Sequence, residues 1–185
     1  MKKTKNITTK ELCLIGLFIA LIAVGAFIKI PLPLIPLTLQ TFFVLLAGLL
    51  LGARNGSLAV IGYILLGLSG LPVFASGGGI GYVLNPSFGY LLGFAIGAYI
   101  IGKIAHGAKL SFLRILIANL VGILIIYFLG MIYFYFISNF YLGNPVGVWA
   151  LFTKQFIFTV PKDIFVCFVT ALLGTRLIPI TKKLS

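Results

Sequence analysis

Only two side chains of this 185-residue chain are acidic, Glu11 and Asp163, and Asp163 stands in a run of Phe, Val and Ile. A carboxylate inside hydrocarbon is costly and faces a partner, a cavity or a substrate. The candidate site therefore begins at Asp163. The chemistry on offer is hydrogen-bond acceptance and charge pairing rather than bond making. His106 is the single histidine, Cys13 and Cys167 form no CxxC pattern, and Glu11 and Asp163 are expected on opposite sides of a bilayer. No nucleophile–base pair or metal-ligand set emerges. The expectation is a protein with no catalytic residue, no metal and no cofactor.

Composition supplies the medium. Hydrophobic residues make up 61% of the chain and charged ones 9%, the mean hydropathy is +1.22, and the apolar runs exceed what a soluble core helix needs. The sequence reads as an all-α integral membrane protein forming a single domain over residues 1–185. Gly, Pro and charge punctuation marks six transmembrane spans, at about 12–30, 37–53, 57–71, 88–105, 112–136 and 149–178. The basic start followed by an apolar run of about 19 residues reads as an uncleaved first helix. A net charge of +12 would suggest nucleic acid in a soluble protein. Here the basic residues sit at helix ends, where membrane orientation explains them, and no nucleic-acid partner is expected.

With the N-terminus inside, eleven Lys and Arg fall on the inner side and only Lys29, Lys154 and Lys162 on the outer half. This bias predicts an N-in, C-in topology, which needs an even number of spans. Asp163 lies 13 residues before Arg176, so it should sit roughly 20 Å up a core of roughly 30 Å, in the outer half. The stripe Gln155, Thr159, Asp163, Cys167, Thr170 and Gly174 is expected to face the bundle interior. Lys162 falls on a different stripe, with Phe158 and Lys154, because neighbours in sequence do not face each other on a helix. Pro161 leaves the carbonyl of Ile157 without its helical donor and permits a local opening. Lys162 reaches a ligand only if that opening turns it inward, and Lys154 is expected to snorkel outward.

The outer connections are the Pro-rich segment 31–36 and the stretches 72–86 and 137–148. Three consecutive glycines, Gly77, Gly78 and Gly79, allow close backbone approach and offer N–H groups to a ligand, with Phe74 and Tyr82 as aromatic walls. The run Gly97 to Lys103 imitates a phosphate-binding loop, but Ile104 stands where Ser or Thr is required and the segment is a helix end. It is not a nucleotide site. Gly16, Ala20 and Ala23 place small residues at four- and three-residue spacing on the first span, a face suited to close helix contact.

Four stretches together resemble the biotin-binding substrate-capture subunits (S components, BioY family) of energy-coupling-factor vitamin transporters. They are Pro36-Leu37-Thr38-Leu39-Gln40-Thr41, Gly70-Leu71-Pro72-Val73-Phe74-Ala75 with the glycines after it, Asn85-Pro86-Ser87-Phe88-Gly89-Tyr90-Leu91-Leu92-Gly93-Phe94, and Pro161-Lys162-Asp163. The resemblance covers all six spans. It implies high-affinity capture of biotin in the outer half of the bundle by Asp163, Lys162, Asn85, Gln40, Phe74, Gly78, Gly79 and Tyr82. It also implies docking through Gly16, Ala20 and Ala23 to a membrane-embedded coupling (T) subunit, with two ATPase subunits driving import. The family usually carries a lysine three residues after the Asp, where this chain has Val166, and a small residue where it has Lys162. A stand-alone proton-coupled carrier of small solutes is the alternative, with Asp163 titrating in transport. Either way the protein is multi-pass in the cell membrane, with the lipid bilayer as its surround.

Overall fold

A computed structural model describes residues 7–30 and 36–184. Helix α1, Thr9–Phe27, starts with a capping box: the Thr8 side chain accepts from the Glu11 N–H, and the Glu11 carboxylate accepts from the Thr8 N–H at 2.8 Å. Glu11 also accepts from Asn55 Nδ2 at 3.1 Å. One of the two acids is therefore a structural cap. After α1, strand β1, Lys29–Ile30, pairs antiparallel with β2, Leu37–Thr38, placing Lys29 opposite Thr38. These are the ends of the Pro-rich connection; residues 31–35 lie outside the described residues.

Among the described residues, five helices are long and apolar enough to cross a bilayer. Helix α2, Gln40–Leu68, holds both the second and third expected spans. It is broken at Gly52, whose φ of 78° and ψ of −178° are non-helical and suit only glycine. A Cβ added at Gly56 would lie 2.7 Å from the carbonyl oxygen of Ala47 and 2.9 Å from Cα of Gly48. In a straight helix, positions eight apart are separated by roughly 12 Å. The chain therefore doubles back at Gly52, and limbs 40–51 and 53–68 pack against each other. The sequence reading placed this boundary at 54–56; a single glycine two residues earlier makes it. Helix α3, Phe88–His106, packs on that reversal, and a Cβ at Gly102 would lie 2.2 Å from the backbone nitrogen of Ala53.

A 3₁₀ turn, Ile80–Leu84, leads into α3, and α4, Phe112–Phe136, continues into a π turn, Ile137–Tyr141. The expected sixth span is not one helix. It divides at Thr159 into α5, Val148–Phe158, and α6, Val160–Leu184. Pro161 is the second residue of α6, where its missing N–H has no helical acceptor to lose. The interior holds Leu45, Leu49, Tyr63, Ile101, Ile115 and Ile126 fully buried. Leu124, Phe128, Trp149 and Phe165 point outward, a surface that suits lipid rather than water. Cys167 is buried in the bundle, whereas Cys13 lies on the exposed side of α1.

Candidate functional site

The break at Thr159 puts Asp163 in the first turn of α6, and its N–H donates to the Thr159 carbonyl at 3.1 Å. Its side chain is buried at 2% exposure. The Lys162 ammonium approaches Asp163 Oδ1 at 2.7 Å, the Tyr127 hydroxyl of α4 donates to Oδ2 at 2.5 Å, and Thr41 borders the same pocket. Neighbours in sequence thus form an ion pair, against the expectation from a continuous helix. The long Lys162 stem reaches across the roughly 100° between neighbouring helical positions. The same ammonium donates to the Thr38 carbonyl at 2.9 Å, tying strand β2 to α6. Val166, where the family pattern has a lysine, is buried and apolar. Lys162 supplies the cation beside Asp163 from the preceding position.

Below Asp163 the α6 stripe is buried at Cys167, Thr170 and Gly174. Asn119 of α4 donates from Nδ2 to the Cys167 carbonyl at 3.2 Å and to Thr170 Oγ1 at 2.9 Å. These bonds hold α6 against α4 in one rotational setting. The side chains of Gln155 and Lys154 lie outside those described.

The pocket over Asp163 is lined by residues of several elements, among them Thr38, Gln40, Tyr82, Tyr90, Phe94 and Tyr127. Its wall is mostly apolar and aromatic with a few convergent polar groups, the usual make-up of a small-molecule site. Gln40 is buried at 3%; its side chain faces the Tyr63 hydroxyl, but its Nε2 makes no well-aligned hydrogen bond among the described residues. An unpaired buried amide donor beside a buried carboxylate is the polar signature of a site that accepts and donates at once. The cavity is about 60 Å³, below the roughly 300 Å³ at which small-molecule sites begin. A ligand of vitamin size needs a more open pocket than this one.

The glycine-rich connection builds one wall of this pocket. Phe74 is buried against Tyr63 and Tyr82, with ring centroids 5.4 Å and 4.4 Å away, so it backs Tyr82 rather than lining the cavity. The Gly77 N–H donates to the Phe74 carbonyl at 3.2 Å and the Gly79 N–H to the Gly67 carbonyl at 2.7 Å. These amides stitch the loop together, in place of the free donors read from the sequence. Gly79 has φ of 96°, and a Cβ at Gly78 would lie 2.2 Å from the Leu71 carbonyl oxygen, so both positions serve the fold of the loop. Asn85 closes the turn into α3, its Oδ1 accepting from the Ser87 N–H at 2.9 Å and hydroxyl at 2.7 Å. Lys162, Asp163, Gln40 and Tyr82 converge on the cavity; Asn85, Phe74, Gly78 and Gly79 support it from behind.

Sequence reasoning passed over Tyr127, Tyr90 and Phe94. The signal for Tyr127 was its position eight residues after Asn119, which sets both on one stripe of an otherwise apolar helix. At the far surface of α1, Gly16 and Ala20 are exposed, Gly16 has open space above it, and Ala23 is half-buried against the core.

The model of the BioY family matches residues 1–183. The chain belongs to the BioY family. A probable biotin transporter BioY of Lysinibacillus sphaericus is 46% identical over 178 residues, covering 94% of this chain and 89% of that one. The biotin transporter BioY of Thermotoga maritima is 48% identical over 118 residues, 63% of this chain and 69% of that one. Among solved structures, the crystal structure of the S component for biotin from an ECF-type ABC transporter superposes with a TM-score of 0.79 at 27% identity, covering 93% of this chain and 94% of that one. Membership of the BioY family, with multiple apolar helices, makes this a multi-pass protein of the cell membrane.

Proposed function

We propose that this protein is the high-affinity biotin-capturing S component of an ATP-driven ECF importer. The observation that carries the reading is the buried Asp163 carboxylate, oriented by Tyr127 and Lys162, beside the unpaired Gln40 donor in an aromatic pocket. Biotin presents the complement: two ureido N–H donors for the carboxylate, a ureido carbonyl for Gln40, and an apolar bicycle for Tyr82, Tyr90 and Phe94. Asn85, Phe74, Gly78 and Gly79 act from behind by shaping the outer wall.

The six-pass reading counts the limbs 40–51 and 53–68 as separate passes. With eleven basic residues against three, the preferred orientation has both termini inside, which puts Asp163 and the ligand in the outer half. Likeness to the S component for biotin of an ECF-type ABC transporter supports energy supplied by two ATPase subunits through a membrane-embedded T subunit, and the chain carries no phosphate-binding loop of its own. Gly16 and Ala20, small and outward-facing, with Ala23 beside them, form the docking face. Titration of the detergent-purified protein with biotin, against thiamine and riboflavin, tests the reading. Saturable binding of biotin alone is expected; binding of either control in its place, or of none, overturns it.

A further inference from the structure

We infer that Lys29 is a specificity-determining residue that recognises the anionic end of the ligand, an assignment that rests on the biotin reading above. Lys29 lies in β1, opposite Thr38 of β2, and its ammonium donates to the carbonyl of Ala75, a residue of the pocket wall. It therefore reaches across the mouth of the pocket from one outer connection to the other. A lysine ammonium carries three donors, and one backbone carbonyl leaves the charge unneutralised.

No acid of this chain is placed to neutralise it. The chain has two acidic side chains: Asp163 is paired with Lys162, and Glu11 caps the opposite end of α1, a helix of 19 residues or roughly 28 Å. Beside Lys29 lies a second cavity of about 210 Å³, lined by Ile28, Lys29, Ile30, Thr38, Leu39 and Lys162. It shares Thr38 and Lys162 with the pocket over Asp163, so the two spaces lie on either side of the Lys162–Thr38 hydrogen bond. A ligand whose ureido ring sits on Asp163 can run its chain past Thr38 and bring its carboxylate to Lys29. Lys162, already held by Asp163 and the Thr38 carbonyl, has less to give there.

The test compares biotin with biotin amide, in which the carboxylate becomes a neutral carboxamide, in titrations of the full-length protein and of its Lys29→Gln and Lys29→Arg variants. The readout is the ratio of the two affinities, which a general loss of loop order does not change. The parent is expected to favour biotin about tenfold or more, as one charge-assisted hydrogen bond provides. Lys29→Gln should bring the ratio close to one, and Lys29→Arg should keep most of it. A ratio in Lys29→Gln equal to the parent's overturns the assignment and leaves Lys29 as a strap on Ala75. A parent that binds no biotin overturns the functional reading itself, and the two failures are told apart by that first titration.

Discussion

Replacing Asp163 by asparagine keeps the shape of the side chain and removes its charge. In the parent, the carboxylate accepts from the Tyr127 hydroxyl at 2.5 Å and pairs with the Lys162 ammonium at 2.7 Å. The amide oxygen of asparagine can keep the tyrosine bond, but its NH₂ cannot accept from an ammonium. Losing one partner of a fully buried ion pair costs about 3–5 kcal/mol. The Lys162 side chain is 22% exposed and keeps the Thr38 carbonyl, so water reaches it and about 1–2 kcal/mol is the better expectation. The protein should still fold. Ligand binding loses a charged acceptor for the ureido donors, about 1.5–3 kcal/mol, or roughly ten- to a hundredfold in affinity. Calorimetric titration with biotin, paired with a thermal melt in the same detergent, measures both effects. A folded Asp163→Asn protein that binds biotin as tightly as the parent would refute the placement of this carboxylate in the site.

Tyr127→Phe leaves Oδ2 of Asp163 without its donor and should weaken biotin binding by about tenfold, with a stability loss of about 1–3 kcal/mol, read by the same titration and melt. Gly78→Val and Gly79→Val should lower both melting temperature and affinity, because one forces a Cβ onto the Leu71 carbonyl and the other a β-branched residue into a φ of 96°; variants that melt and bind like the parent would show the loop tolerates side chains there. Gly16→Trp and Ala20→Trp should leave biotin titrations near parental while abolishing co-purification with the coupling complex and cellular biotin uptake. Uptake unchanged in both would move the docking face to another helix.

Asp163 was legible because acids are so rare in this chain that an apolar neighbourhood marks it without any structural input. Its partners were less so. Lys162 falls on a different stripe from Asp163 in a span that Pro161 is expected to open locally, and the i, i+1 argument overlooks the reach of a long lysine stem. Tyr127 is separated from Asp163 by 36 residues, and only the packing of α4 on α6 brings them together. The spans of α1, α3 and α4 followed from length and hydropathy, which report lipid contact directly. The reversal between the second and third spans was marked by the polar pair Arg54-Asn55, and only the turning residue, Gly52 two positions earlier, was not. The glycine run at 77–79 signalled close backbone approach correctly, but a glycine pattern does not say whether the approaching group is a ligand or, as here for Gly78, the Leu71 carbonyl.

The division between α5 and α6 decides where the chain can change length. The rotational setting of α6 is fixed from the side, by Asn119 holding Cys167 and Thr170, and not by what precedes Thr159. Residues gained or lost within 142–158 would therefore be absorbed at the junction, leaving the carboxylate where it is. A single residue gained or lost between Asp163 and Cys167 would swing the carboxylate by roughly 100°, out of the pocket and toward lipid. Length variation among natural variants should accordingly collect on the α5 side of Thr159 and be absent from the four positions after Asp163.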